Sequence, residues 1–333
     1  MDGPRIGNPA VTPDGRLLVS RHPLDAPEFK VVEVPRDGGP ALPFPNPEVS
    51  RGLDAVIGVR AGEDGVVWML DMGPRPRFVG WDTRRDALAG EVPIPAVVLR
   101  PNSFLQDFAL DQTRGLAFVA DMTRGDLVGD SSPAIVAVDL RGGAPARRLL
   151  QGHPSTQPPD EALVAEGRPL AIARDGAAAP VEARFGLNPI TITTDDAWVI
   201  YGAMNGNGLW RVPAAALANA ALSADALAAR VERHREKRGS DGISVDGAGN
   251  VYVTDVAASA IGVATENGYR VLARDPALLR WPDGFAFGPD GWLYVTVNQL
   301  HLHPAVNGGR GDEGRAPWLV VRIRPLAAGR VGR

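Results

Sequence analysis

Six polar residues recur at one point of a repeated pattern: Asn8, Asp54, Asp107, Asn188, Asp241 and Asp283. Each opens a β-like run, in Gly7-Asn8-Pro9, Leu53-Asp54-Ala55, Gln106-Asp107-Phe108, Leu187-Asn188-Pro189, Ser240-Asp241-Gly242 and Pro282-Asp283-Gly284. Four carboxylates held close would repel, so they must raise a pKa, recruit a base or bind a cation. An oxygen-only set of Asp and Asn suits Ca²⁺ or Mg²⁺ better than Zn²⁺, so a divalent cation where these residues converge is one expectation. The other is that several of them cap backbone N–H groups at strand entrances. No phosphate loop, dinucleotide fingerprint, nucleophile elbow or zinc-protease motif appears, so no organic cofactor is indicated.

The repeat that positions these residues is a strand pair. After each polar residue a first run ends in a tight turn, such as Pro13-Asp14-Gly15, Glu63-Asp64-Gly65 or Pro289-Asp290-Gly291, and a second, mostly apolar run returns. Turns of this kind between such runs are a strong hairpin signal. A third run usually follows, as at 77–81, 134–139 and 260–264, and a weaker fourth at 148–150 and 269–273. The polar positions are 46, 53, 81, 53 and 42 residues apart. Repeats of roughly 40–50 residues with up to four strands are a propeller signature.

The expectation is an all-β fold, one six-bladed β-propeller over residues 1–333. Its blades fall near 6–45, 52–98, 104–151, 185–213, 239–275 and 281–325. The long third interval places a hairpin insertion before blade four, within 152–184. An Ala-rich helical insertion follows blade four at 213–236, as one helix or as two short ones, because Asn219 and Ser223 interrupt it. This helical insertion is a lid or a surface elaboration. Little chain precedes the first inner strand, so either the natural start lies upstream or the tail at 326–333 completes blade six.

In each blade the start of the first strand and the end of the second lie on one face. That face gathers the six polar residues, with Asp71, Asp121, Asp255 and Asn298 as a second tier. Asp241 and Asp283 are the candidate acid/base groups. Asn8, Asp54, Asp107, Asp121, Asp255 and Asn298 are candidate substrate contacts, joined by Trp281 just before Pro282. His301 and His303, two apart, share one side if that stretch is extended, which makes His301 a further acid/base candidate and His303 a contact. His22, His153 and His234 carry less signal. Asp14, Asp64, Asp195, Asp196 and Asp290 sit at the opposite face and read as turn residues.

Bulk properties narrow the partners. A net charge of −4 argues against nucleic acid, and no run approaches the length of a membrane helix. The absence of Cys removes disulfides and thiol chemistry and leaves the compartment open, cytoplasmic or exported with the signal absent from this chain. The expected partner is a small molecule at the hub, converted or simply bound. A protein scaffold is the third class, less favoured by acids concentrated at repeat entrances.

Several stretches resemble the yellow/major royal jelly protein family. They are Ser103-Phe-Leu-Gln-Asp107-Phe-Ala-Leu-Asp-Gln112, Ala134-Ile-Val-Ala-Val-Asp-Leu140, Ser240-Asp-Gly-Ile-Ser-Val-Asp246, and Trp281-Pro-Asp-Gly-Phe285 with Val297-Asn298-Gln-Leu-His301. The resemblance implies a six-bladed propeller and tautomerisation or isomerisation of a small cyclic substrate, or binding of small aromatic amines. More distantly the chain is similar to SMP-30/gluconolactonase/strictosidine-synthase-like propellers. That similarity implies metal-dependent lactone or ester hydrolysis, with Asn188 and Asp241 at metal-binding positions and Asp107 where a substrate-binding Asn would be. Asn8 stands where that group carries a Glu ligand.

Overall fold

A computed structural model describes residues 1–124, 131–174 and 178–333. Six antiparallel sheets follow one another along the chain, four-stranded in the first five and three-stranded in the sixth. Their inner strands are Ile6–Val11, Val56–Ala61, Leu105–Asp111, Leu187–Ile192, Ile243–Val245 and Pro282–Phe287. Every residue of these inner strands is buried, because neighbouring blades cover both faces, and so their sequences are largely apolar. This is the six-bladed β-propeller.

The core lies between blades. Six apolar clusters each join one adjacent pair, from the Val59–Met69–Phe44 group between blades one and two to the Ile6–Val19–Trp318 group that closes blade six on blade one. A seventh sits on one face of the ring and includes Leu163, Leu170, Phe185, Trp281, Leu300 and Val306. It roofs the hub. The insertion before blade four supplies part of this roof through two short hairpins, Val164–Ala165 with Arg168–Pro169 and Ala171–Ile172 with Val181–Glu182.

Two sequence expectations are corrected. The segment 213–236 forms two short helices, Ala214–Ala218 and Ala224–Ala228, and then the outer strand of blade four, Glu232–Glu236. Ser223 caps the second helix through Ala226 N at 3.2 Å. The free edge of Gly208–Pro213 captures Glu232–Glu236, with Arg211 and Glu232 paired at 2.8 Å, and this outweighs local helix propensity. The tail at 326–333 does not complete blade six. It crosses the hub on the face of the hairpin turns and bonds to several blades: Leu326 N to Tyr252 Oη, Gly247 N to Ala328 O, Phe287 N to Arg333 O, and Arg333 Nη1 to Leu110 O.

The tail also revises Asp196. It adopts φ +56°, which in the other hairpins is taken by glycines such as Gly65 and Gly291. Asp tolerates this conformation better than most side chains. Asp196 is also fully buried, paired with Arg333 and Arg330, and accepts from Thr113 N at 3.0 Å. It is an anchor for the tail as well as a turn residue. Near the chain start, Met1 exchanges backbone hydrogen bonds with Trp318, whose indole donates to Gly3 O at 2.8 Å. Among the described residues no helix is long and apolar enough to cross a membrane.

Candidate functional site

Inner strands enter the hub through a local irregularity. The pairing register shifts between Ile6 and Pro9, Val56 and Val59, Leu187 and Ile190, and Pro282 and Phe285. Such a bulge re-aims the side chain it carries. It carries Asn8, Asn188 and Asp283; Asp107 follows a comparable shift in blade three. By the same register, blade two offers Ile57 and Gly58. Asp54 lies before its strand, exposed, and is not part of the hub. Gly58 leaves room for its neighbour: a Cβ there would lie 3.4 Å from Asp107 Oδ1 and 3.0 Å from the Phe108 ring.

Arg60 takes the place that Asp54 was expected to fill. Its guanidinium is buried and pairs with Asp107 at 2.5 Å. A lone cation in an apolar inner strand, Val56-Ile-Gly-Val-Arg60-Ala, was the sequence signal, since a charge buried on both faces needs a partner. The hub therefore holds Asn8, Arg60, Asp107, Asn188, Asp241 and Asp283, all buried.

The three carboxyl groups are near enough to influence one another. Burial raises the pKa of Asp107, opposed first by Arg60. Burial pushes Asp241 up to about 6, with Asp107 adding to the effect and hydrogen bonds from Trp281 and Asn188 opposing it. Asp283 is raised well above the usual carboxylate range, first by burial and then by the charge of Asp241. Asp241 Oδ1 accepts from Asn188 Nδ2 at 2.8 Å and Oδ2 accepts from Trp281 Nε1 at 2.8 Å. Thr254 Oγ1 fixes the backbone N–H groups of Asp241 and Gly242 at 3.0 and 2.9 Å. Asn188 Oδ1 is buried with no partner.

The expected second tier is mostly structural. Asp71 accepts from Asp54 N and Ala55 N, both at 3.0 Å. Asp121 accepts from Phe104 N at 2.9 Å and pairs with Arg148 at 2.6 Å. Asp255 accepts from Tyr269 Oη at 2.6 Å and Ala258 N at 3.1 Å. These carboxylates satisfy backbone and side-chain donors around the strand ends rather than facing the hub. Asn298 differs: its Nδ2 donates to Asp283 and to Ile6 O. Residues that do reach the hub cavity follow the strand ends by one position, His22 after Arg21, Met122 after Asp121 and Met204 after Ala203, because successive strand side chains point to opposite sides.

His301 and His303 do not share a side. Leu300–Leu302 is a 3₁₀ turn, so the extended spacing fails. His301 stacks on Trp281 with centroids 5.7 Å apart and lies 3.4 Å from Glu166 Oε1. His303 lies 3.5 Å from Asp25. Trp281 itself, 1% exposed, stands between His301 and Asp241 with φ +61°. A bulky residue in that region is an outlier held by its surroundings.

Above Asp241, Asn188, Gln106 and Trp281 lies a narrow cavity of about 40 Å³. Phe104, Met122, Phe185 and Met204 wall it, and Leu170, Leu300 and Val306 roof it. His22 lines it too; burial lowers its pKa to about 4, so it is neutral at pH 7.

As arranged, the donors do not fit a divalent cation. Ca²⁺ asks for roughly 6–8 oxygen ligands and Mg²⁺ for an octahedron. Both Asp241 oxygens accept N–H groups, Asp107 is neutralised by Arg60, and Asp283 is engaged by Asn298. Asn188 Oδ1 is buried without a partner, and among the described residues no group of three or more His, Asp or Glu is placed to hold an ion.

The fold is shared with several solved propellers. A luciferin-regenerating enzyme aligns with TM-score 0.55 at 15% identity, covering 98% of this chain and 94% of that one. Regucalcin from Agrobacterium tumefaciens, a calcium-binding protein, gives 0.53 at 15% identity over 98% and 93%. A gluconolactonase from Xanthomonas campestris gives 0.53 at 11% identity over 90% and 84%. No curated protein matches the chain. The sequence profile of the major royal jelly protein family matches residues 56–303. With three quarters of the propeller inside that match, the chain belongs to the major royal jelly protein family.

Proposed function

We propose that the protein is an enzyme that moves a proton within a small cyclic organic molecule held over Asp241, a tautomerase or isomerase. One observation carries the reading: a buried carboxyl, raised to about 6, faces an apolar cavity beside an unpartnered amide oxygen. A base with a pKa near the working pH can take a proton and return it elsewhere on the same molecule. Such a reaction balances with no net gain of atoms or electrons and needs no cofactor step. Asn188 Oδ1 would accept an N–H or O–H of the substrate and orient it. Lactone or ester hydrolysis ranks second, because its metal-dependent form calls for a cage that these donors do not make.

The test is deuterium wash-in from D₂O into a panel of cyclic ketones and catechol derivatives, followed by NMR. Wild-type protein should accelerate exchange at one ring position, and Asp241→Asn should abolish it. Full activity in Asp241→Asn would refute the assignment, and saturable binding without exchange would turn it into a binder.

A further inference from the structure

A cavity of about 40 Å³ holds a water or two, not a ring compound. Something must yield for the proposed chemistry to occur. A second hollow of about 420 Å³ opens on the same face, lined by Ala55, Met72, Pro101 and Ser103. The two share three lining residues: His22, Leu24 and Phe104.

The backbone at this partition is fixed. Asp25 accepts from Arg5 N at 2.6 Å and Arg5 Nη1 at 3.0 Å, and Leu24 N donates to His22 Nδ1 at 3.3 Å. Phe104 N donates to Asp121 Oδ1 at 2.9 Å. The side chains are freer: Leu24 is 38% exposed and Phe104 is half-buried. The roof is the competing way in, and it is fastened by backbone hydrogen bonds from Ala171 N to Val306 O at 2.9 Å and from Gly308 N to Ala171 O at 2.8 Å. Glu166 adds a two-pronged pair to Arg280 at 2.5 and 2.8 Å. Turning two side chains needs only rotamer changes, which are fast, whereas lifting the roof breaks all of these bonds.

We propose that the hub chamber and the outer hollow are two halves of one ligand site, joined through a neck formed by Leu24 and Phe104. This rests on the hub being the ligand site. Together the chambers fall within the roughly 300–1,000 Å³ of small-molecule sites. Ala55, Met72 and Pro101 give the outer half an uncharged, weakly polar lining. The ligand is therefore elongated, with a ring over Asp241 and an uncharged apolar substituent lying past Leu24.

The test reads solvent access to Trp281 through hydrogen exchange of its indole N–H, observed by NMR in protein labelled with ¹⁵N-tryptophan and assigned with Trp281→Phe. The double variant Leu24→Ala/Phe104→Ala should speed this exchange by about tenfold or more, while Glu166→Gln should change it less than about twofold. The Trp318 indole, bonded to Gly3 O, should be unchanged and reports intact folding. Acceleration by Glu166→Gln without acceleration by the double variant would assign access to the roof and overturn the neck. In a second arm 4-phenylphenol at millimolar concentration should protect the Trp281 N–H in wild type and not in Leu24→Trp. Protection in both or in neither overturns the two-chamber ligand. Turnover enters neither arm, so a failure of Asp241 as a base is seen separately.

Discussion

Replacing Arg60 with Leu removes the sole cation paired with the hub carboxyls among the described contacts. Arg60 and Asp107 lie 2.5 Å apart with side chains only 7% and 8% exposed. Breaking a buried pair by removing one partner costs about 3–5 kcal/mol, because the other charge is left uncompensated. Asp107 can escape that cost by taking a proton, and burial already raises its pKa even beside Arg60. Without the guanidinium it rises further. An acid whose folded pKa exceeds its unfolded value holds its proton longer in the folded state, so the penalty vanishes at low pH and grows as pH rises. Urea unfolding of Arg60→Leu, followed by tryptophan fluorescence, should show the full loss at pH 8 and a much smaller one at pH 5. Arg60→Leu/Asp107→Leu should recover most of the stability at pH 8, since it removes both charges. A loss below about 1 kcal/mol at pH 8, or one independent of pH, would refute charge compensation by Arg60.

Other predictions follow from the same contacts. Asp241→Asn should stabilise the fold at pH 8 by up to about 3 kcal/mol, from a pKa raised from 3.8 to about 6. Wild-type stability should correspondingly fall as pH rises through about 4 to 6, and denaturation midpoints for both proteins across pH 4–8 check this. The asparagine can satisfy Trp281 with its oxygen while Asn188 flips to present its own. Lys237→Met should cost about 2–4 kcal/mol in equilibrium unfolding, because Nζ bonds Gly206 O at 2.7 Å and Arg238 O at 3.0 Å, which lose this donor, while Met204 O keeps Ser240 N at 3.0 Å. Arg333→Ala should lower stability by a similar amount, leaving buried Asp196 with Arg330 at 3.3 Å as its remaining ion-pair partner. Unchanged midpoints in either variant would show that these contacts are dispensable.

The repeat was legible because strand period and turn chemistry are local. Turn residues and apolar runs located all six inner strands and five of their six hub residues. Blade two failed because Leu53-Asp54-Ala55 imitates the motif four residues early, and the real hub slot is a glycine with no chemistry of its own. The second tier failed by one residue. Strand ends were correctly located, but alternation turns Asp71, Asp121 and Asp255 away from the hub and brings His22, Met122 and Met204 toward it. The roof was least legible, since Leu170 and Val306 reach the cavity from loops whose positions depend on tertiary contacts. His301 followed the roof: its 3₁₀ turn opens on Asn298 Oδ1, which accepts from Leu300 N at 3.0 Å, and its ring packs on Trp281, so the Asn298 turn signal was there but the partner was not.

Three carboxyls in one buried ring cannot all ionise, and their different surroundings set the order. Burial raises the Asp107 pKa, and Arg60 with the N–H of Phe108 at 2.8 Å opposes that rise. Asp283 has no cation among its influences and feels the charges of both Asp241 and Asp107, which favours its protonated form. Asp241 is pushed up to about 6 by burial, with the donors Trp281 and Asn188 opposing the rise. Environments that push neighbouring acids apart define an acid and a base. On the proposed reading Asp241 takes the proton and Asp283, whose charged form Asp241 disfavours, stores one beside it. The Arg60–Asp107 pair then fixes how many protons the ring holds. Removing Arg60 should therefore shift the pH profile of wash-in, beyond its effect on stability, because Asp107 would begin to compete for the proton that the pair now shares.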